Sequence, residues 1–302
     1  EELQLIGNAI DGRLKYILGA YYFKESGRSL NVSTTPTYVN PRAVSFKNSA
    51  YAVFGQGTFT PDFLDGRLHL TLGARWSHDK RDASILSIRT NTGETPVTLI
   101  DGSGKRSFSD FAPSGVIQFD INDDVNIYGK IAKGYKTGGF SLTASTPQTF
   151  ARGFGPEKVL SYEAGLRSEW FDRRIRFNLT GFYNDYTDIQ TNVFDPANPR
   201  LFDVINAGKA VTKGIELDVA ALLFKGFTVR GGYGYTDAKY KKVIDLGGNN
   251  VTSSFFFVHA PKNSFSLGAD YTSPQTPVGT FDASISYDWQ DKFISLVTSS
   301  DY

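Results

Sequence analysis

Phenylalanine residues stand in long segments that are otherwise rich in Ser, Thr, Asn, Gly and Pro. An exposed aromatic ring in such a segment can hold a hydrophobic or planar ligand. The same ring can instead pack one loop against another, because a loop must bury something to be ordered. We predict ligand contacts at seven positions, with loop packing as the open alternative: Phe140, Phe150, Phe154, Phe255, Phe256, Phe257 and His259.

Catalytic chemistry has little support in the sequence. The three histidines, His69, His78 and His259, lack the spacing of metal ligands, and the chain contains no cysteine. The glycine-rich stretch 231–234 falls inside a predicted strand and not in front of a helix, which argues against a phosphate-binding loop. No nucleophile and base can be paired by their spacing. We therefore expect no enzyme activity, no catalytic residue, no metal site and no cofactor.

The elements that would position the aromatic residues are long strands with one polar face. In residues 67–77 the even positions are Leu, Leu, Leu, Ala and Trp, whereas the odd positions include Arg, His and Thr. Residues 175–183, 215–223, 227–235 and 281–289 alternate in the same way. A period of two predicts a strand with one wet face. Strands of soluble sheets run about 5–6 residues and tilted membrane strands about 9–11, so these lengths favour a membrane.

Six short turns, each with Asp, Asn, Gly or Pro, recur about every 50 to 60 residues. They are Asp11-Gly12, Asp62–Gly66, Asn122–Asp124, Asp172-Arg173, Lys225-Gly226 and Ser273–Gly279. Such spacing predicts pairs of up-and-down strands joined on the other side by longer loops. The predicted strands are 3–10, 13–25, 49–61, 67–82, 107–121, 125–136, 159–171, 174–193, 201–224, 227–241, 263–272 and 280–290.

The remaining segments show no periodicity and are predicted as external loops that carry specificity. They are 26–48, 83–106, 137–158, 242–262, the tail after 290 and a shorter one near 194–200. Gly208 and Gly214 predict a bend or bulge in the long strand 201–224. The fold class is therefore all-β, a transmembrane antiparallel up-and-down β-barrel in which residues 1–302 form one partial domain. Its polar face needs a water-filled lumen or a plug, which favours a wide barrel.

Composition excludes several other classes of protein. Of 302 residues 14% are aromatic, and 32 basic residues balance 31 acidic ones, so there is no basic face for nucleic acid and no nucleic-acid partner is expected. The apolar run Val219–Phe224 is far shorter than the roughly 18 residues of a helical span. The chain begins Glu1-Glu2-Leu3, with no methionine and no signal peptide. We expect it to be an internal piece of a longer precursor.

Three stretches resemble TonB-dependent outer-membrane receptors. Residues 128–140 read YGKIAKGYKTGGF, similar to the family's Y-A-x-x-x-K-G-F-K-x-G-G-F segment. Residues 154–170 read FGPEKVLSYEAGLRSEW, similar to P-E-x-x-x-S-Y-E-x-G-x-K-x-E, and lead to YNDYTDIQ at 183–190. Asn206–Ala210 with Lys213–Asp218 resembles N-A-G-x-A-x-x-x-G-x-E-x-E/D. The stretches follow the order and the spacing of the family, and the strand pattern extends the resemblance over nearly the whole chain.

The resemblance implies a barrel of about twenty-two strands around an N-terminal plug. We expect the plug, the TonB box and the last strands to lie outside this chain. The implied function is energy-coupled import of a scarce ligand across the outer membrane of a Gram-negative bacterium, by default a ferric siderophore, with cobalamin and glycans still open. The implied partners are the TonB complex, the receptor's own plug domain, the ligand and outer-membrane lipid.

Most of the residues quoted from these stretches are expected to serve architecture or contact with the plug rather than direct contact with the substrate. They are Gly134, Gly138, Gly139, Pro156, Glu163, Arg167, Glu216 and Asp218. Two other functions stay open at this point. A passive pore or export barrel without a plug would explain the same strands, because an even number of strands can close by itself. A structural or adhesive surface protein with long binding loops is the other.

Overall fold

The computed structural model of the protein describes residues 1–144, 146–195, 198–206, 208–244 and 248–295, with backbone alone at 193–195 and 198–202. The strands are β1 (Glu2–Ala9), β2 (Leu14–Thr34), β3 (Tyr38–Phe59), β4 (Leu68–Asn91), β5 (Val97–Asn122), β6 (Val125–Lys136), β7 (Glu157–Trp170), β8 (Ile175–Thr187), β9 (Gln190–Asp195), β10 (Asn198–Asn206), β11 (Gly208–Phe224), β12 (Phe227–Val243), β13 (Asn263–Thr272) and β14 (Asp282–Gln290). The helix is α1 (Pro147–Arg152), and 3-10 turns span Phe63–Gly66 and Thr252–Ser254. Within the described ranges, no helix combines the length and the apolar character that a membrane crossing needs.

Twelve antiparallel strands form one sheet in the order of the chain, with β8 paired directly to β11. The intervening β9 and β10 form a separate two-stranded sheet. All six short turns connect neighbouring strands at the predicted positions, so the predicted all-β, up-and-down arrangement and its twelve wall strands are confirmed. Over the residues described, β1 and β14 are the two edges of this sheet.

Two of the predicted long loops are wrong, because strands run through them. β2 and β3 stay paired from the short-turn end up to Thr34 opposite Val39, and β4 and β5 stay paired up to Arg89 opposite Val97. Segments 26–48 and 83–106 are therefore mostly strand, with short tips. Their sequences lack apolar alternation because backbone pairing is supported there by polar contacts, such as the hydroxyls of Ser45 and Ser84 at 2.7 Å.

The predicted strands 174–193 and 201–224 each divide into two. Asp188 has a φ of 54°, which ends β8 and starts the β9–β10 hairpin. Gly208 has a φ of 114°, and a side chain there would meet the Lys242 carbonyl oxygen at 2.5 Å, so glycine is needed where β11 rejoins the wall. The predicted bend at Gly208 is confirmed, but the hairpin was not predicted, and the described residues of the loop expected near 194–200 belong to β9 and β10. The tail after 295 lies outside the described residues.

One face of the sheet carries an exposed apolar band about nine residues tall. On β4 it runs from Leu68 to Trp76, and Leu72 at its centre is 73% exposed. Tyr51, Trp76 and His78 form an aromatic cluster at one end of the band, with ring centroids 5.0–6.3 Å apart. Nine residues with an aromatic margin match the length of a tilted membrane strand. The opposite face carries the polar residues and the folded loops.

Candidate ligand-binding site

A first loop layer, residues 137–144 and 146–155, folds over the polar face of β3, β4 and β5. The layer contains α1, whose first turn is capped by Thr146: the Thr146 hydroxyl accepts from the Thr149 N–H at 3.1 Å, and Pro147 occupies the first helical position. Phe140 and Phe150 stack with ring centroids 5.3 Å apart. They form the core of the layer with Val44, Ala83, Ile85, Ile100 and Ala144.

Burial separates the predicted ligand contacts of this layer from one another. Phe150 has no exposed surface and Phe140 is 8% exposed, so both rings hold the layer on the wall, as the loop-packing alternative expects. Phe154 is half-buried and covers Gly139, with which it forms a short antiparallel bridge. Arg42 of β3 also anchors the layer by donating to the Ala144 carbonyl oxygen at 2.8 Å. Contact of Phe140, Phe150 and Phe154 with a ligand stays a prediction.

A second loop layer consists of residues 188–192, 203–206 and 251–257. Its core packs Ile189, Ile205, Ala210 and Val243 against partly buried Tyr186, Tyr240, Val251, Phe255 and Phe257. Tyr240 of β12 is the centre of the aromatic contacts: Phe257 stacks on its ring at 4.5 Å, and Phe255 meets its edge at 5.8 Å. Burial raises the pKa of Tyr240 above its ordinary value, against a lowering hydrogen bond from Thr191.

Phe256 and His259 stand at the surface of this layer. Phe256 is 44% exposed, although its two neighbours in the triplet are packed inward. The exposed His259 ring lies 5.4 Å from the Phe293 ring. Phe256 borders an open groove of about 1050 Å³ that also exposes Lys239, Lys262 and Trp289. The groove combines aromatic rings with three lysines and two aspartates, of which Lys239 and Asp237 pair at 3.0 Å, a surface suited to a planar ligand that carries anionic groups.

Asn206 joins the two loop layers. Its side-chain oxygen accepts from the Gly155 N–H at 2.6 Å, and its amide donates to the carbonyl oxygens of Gly155 at 3.0 Å, Pro156 at 3.3 Å and Asp188 at 2.8 Å. Gln190 completes the contact, donating to the carbonyl oxygens of Thr137 at 2.9 Å and Gly155 at 3.0 Å. We call this set of contacts the joint.

The joint brings residues of the three family-like stretches into contact. Thr137 belongs to the first stretch, Gly155 to the second, Gln190 to its continuation and Asn206 to the third. The second stretch also supplies Glu157, whose carboxylate accepts from the Gln190 N–H at 2.8 Å. Residue-by-residue reasoning missed Asn206 and Gln190 as functional positions. The signal that could have found them is that all the stretches approach the same end of neighbouring strands.

A buried charge network closes the wall where β5 and β6 part. The two strands pair only over Ser114–Asn122 of β5, and above this point Lys133 of β6 donates to the Asp110 carboxylate at 2.7 Å. Lys158 lies 3.9 Å from the same carboxylate, whose side chain is 4% exposed. Because a buried carboxylate is costly without partners, the two lysines hold Asp110 in place and connect β5 to β6 and β7.

Charge also links the first loop layer to the second. Burial lowers the pKa of Arg42 below its ordinary value, and the nearby Asp203 of β10, itself 4% exposed, opposes that shift. Arg42, which anchors the first loop layer, therefore also lies near a carboxylate of the second layer. Across the described residues, no group of three or more His, Cys, Asp or Glu side chains could hold a metal ion.

The fold and the loop layers match one class of protein. The family model for TonB dependent receptor-like β-barrels matches residues 3–301, and the chain belongs to this family. Members are outer-membrane barrels that act as transporters rather than enzymes. In such a barrel the apolar band faces lipid and the polar face lines the interior. The loop layers therefore lie on the interior side of the wall.

Several known receptors are similar to this chain in sequence, at low identity. The metal-pseudopaline receptor CntO of Pseudomonas aeruginosa (strain UCBPP-PA14) is 23% identical over 289 residues, which cover 89% of this chain and 38% of that protein. The ferric-pyoverdine M114 receptor PbuA of Pseudomonas sp. (strain M114) is 26% identical over 214 residues, covering 68% and 23%. The pesticin receptor of Yersinia pestis is 28% identical over 193 residues, covering 64% and 24%.

A solved structure agrees with the fold. The ferric yersiniabactin uptake receptor FyuA from Yersinia pestis superposes with a TM-score of 0.73 at 20% identity, covering 95% of this chain and 41% of that one. The open form of the ferric-catecholate import receptor Fiu from Escherichia coli gives a TM-score of 0.57 at 16% identity, covering 89% and 38%. The chain thus spans about two fifths of the length of these receptors.

Proposed function

We propose that this chain is part of the barrel of an outer-membrane TonB-dependent transporter that imports a ferric siderophore or a related metal carrier. The observation that carries the proposal is the match of residues 3–301 to a receptor family whose relatives are named for metal-pseudopaline and ferric-pyoverdine. The proposal places the protein in the outer membrane of a Gram-negative bacterium, with the apolar band in lipid. It also assigns a plug domain, the TonB box and further strands to parts of the protein outside residues 1–302.

The loop layers support import better than passive diffusion. They cover the polar face at the end of the barrel away from the short turns, and the joint ties them together with six hydrogen bonds from Asn206 and Gln190 side chains. An open pore has no need for loops fixed across its mouth, whereas a receptor must hold its binding groups in a defined geometry. The passive pore or export barrel is therefore the weaker alternative.

Within this function, the ligand contacts divide into two groups. Phe256 and His259 are exposed beside the cationic groove, and Phe154 is partly exposed at the joint, so these side chains can touch a ligand. Phe140, Phe150, Phe255 and Phe257 support the loop layers that present them. Lysines in the groove suit a ligand that carries carboxylate, hydroxamate or catecholate oxygens around its metal.

Transport of labelled iron by cells that express the full-length protein tests the proposal. The cells lack their own siderophore receptors and are offered a panel of ferric siderophores, including pseudopaline-, pyoverdine- and yersiniabactin-type carriers. We expect saturable uptake of one carrier class that stops when TonB is deleted or the proton gradient is collapsed. Uptake that rises linearly with concentration and ignores both treatments would instead establish a passive pore.

A further inference from the structure

Four lysines form a zigzag row on the lipid-side face of the barrel, immediately above the aromatic margin of the apolar band. Lys24, Lys47, Lys80 and Lys105 come from β2, β3, β4 and β5 in turn, and all four are exposed. They line one shallow depression of about 460 Å³ together with Asp82 and with Arg81 and Arg106, whose guanidinium groups bond toward the other face. This row takes no part in the loop layers, because those lie on the other face of the sheet.

The strand register fixes the spacing of the row. Lys24 pairs with Ser49, which pairs with Lys80, and one step further along the same face Lys47 pairs with Asp82, which pairs with Lys105. Successive lysines are thus diagonal neighbours on adjacent strands, about 7–8 Å apart between backbones. Ser49 lies between Lys24 and Lys80 in the register, and Ser107 lies on the other side of Lys80. Both serines add hydroxyl donors to the row.

The height of the row relative to the membrane follows from the same register. Tyr22, Tyr51 and His78 pair with one another and mark the aromatic margin, which in barrels lies at the lipid headgroups. Lys24, Ser49 and Lys80 are two residues further along, about 7 Å along the strands. Ammonium groups on flexible stems at this height reach the phosphate groups of the leaflet.

Charge balance distinguishes this sector from another part of the same face. The row has four cations and one anion, and among the described ion pairs only Lys105 is engaged, with Asp82 at 3.3 Å. On β8, β11 and β12 the lysines 213 and 239 are balanced by aspartates 185 and 237, and Lys239 contacts Asp237 at 3.0 Å. Like charges this close repel one another unless an anion occupies the space between them.

We propose that this lysine row is a binding site for a phosphorylated lipid headgroup of the outer leaflet. Lysines whose backbones are about 7–8 Å apart, with serine hydroxyls beside them, can donate to the several oxygens of one or two phosphate groups, and the exposed apolar band below matches the acyl chains. The inference rests on the outer-membrane location in the proposed function. A free phosphate ion would explain the charges but not their position at the edge of the apolar band.

The test uses the full-length protein in nanodiscs of phosphatidylcholine doped with diphosphorylated lipid A, and native mass spectrometry counts the lipid A retained. The test variant is Lys80→Gln, and the control variant is Lys213→Gln, which removes one charge from the same face outside the ligand groove. We expect the test variant to bind lipid A about fivefold more weakly. The control variant should retain it like the wild type.

Two results would overturn the inference. Equal retention by all three proteins, or equal retention of dephosphorylated lipid A by the wild type, would show that the row does not recognise phosphate on a lipid. Displacement of lipid A by millimolar inorganic phosphate would assign the row to a small anion instead. Outer-membrane fractionation and iron uptake are measured for the same variants. Neither measurement depends on retained lipid A, so together they distinguish failure of this inference from failure of the transport proposal.

Discussion

At the scale of single residues, the phenylalanine triplet shows how one sequence cluster serves two purposes. In an extended segment successive side chains point to opposite sides, and Phe255 has the extended backbone angles φ −116° and ψ 129°. Phe255 and Phe257 therefore share the side that meets Tyr240, whereas Phe256 is exposed at the surface of the groove that all three rings line. The sequence identifies the triplet as unusual, but only the ring of Tyr240, brought in from β12, decides which members are buried.

Replacing Phe256 by Ala should weaken ligand binding and leave the folded state unchanged, because its ring is exposed and faces the groove. Replacing Phe257 by Ala removes a stacked, partly buried ring and should destabilise the second loop layer by about 2–4 kcal/mol. Equilibrium binding of the ferric ligand and protease resistance of the loops measure the two effects in the full-length protein. Unchanged affinity in the Phe256 variant would remove this ring from the binding site.

At the scale of elements, Asn206 controls the relation between the loops and the wall. One amide side chain makes four hydrogen bonds to backbone groups of residues 155, 156 and 188, which belong to different loops. Another residue type cannot both accept from an N–H and donate to several carbonyl oxygens in this geometry, apart from the longer Gln. The joint is therefore sensitive to a single substitution, although its members lie far apart in the sequence.

Asn206→Ala should open the loop layers locally at a cost of about 2–4 kcal/mol, since four hydrogen bonds of about 0.5–1.5 kcal/mol are lost and some of the freed groups regain water. Hydrogen exchange measured by mass spectrometry should show faster exchange in residues 137–155 and 188–206, with the β2–β3 pair unchanged. Asn178→Ala is the matched control, because Asn178 lies on the polar face of β8 and further from the loops. Equal protection in both variants would contradict the role of the joint.

The strands could be predicted wherever one face meets lipid and the other meets the interior, because apolar and polar residues then alternate along the sequence. Beyond the band the contrast ends, so the extensions of β2 to β5 could not be recognised, although their pairing is continuous. The β9–β10 hairpin was hidden for another reason. Its start depends on left-handed backbone at Asp188, which few sequence signals mark outside glycine and turns.

At the scale of the whole molecule, the sheet is stable only in an environment that covers one of its faces. The apolar band exposes large side chains on every wall strand, including Leu72, Val53, Ile117 and Ile285 at 54–73% exposure. A soluble protein rarely leaves so continuous an apolar surface in water. The opposite face holds the charges and the loop layers. The two faces thus separate the side that carries the apolar band from the side that carries the loop layers.

This division predicts opposite outcomes for one substitution made on the two faces. Leu72→Arg places a charge at the centre of the apolar band and should destabilise the barrel in lipid by about 2–4 kcal/mol. Gln56→Arg, on the neighbouring strand β3 but on the exposed polar face, should change the stability by less than about 0.5 kcal/mol. Unfolding of the full-length variants in lipid vesicles, followed by tryptophan fluorescence, measures both. Equal loss of stability would contradict the assignment of Leu72 to the lipid face, and a larger loss in the Gln56 variant would reverse the assignment of the two faces.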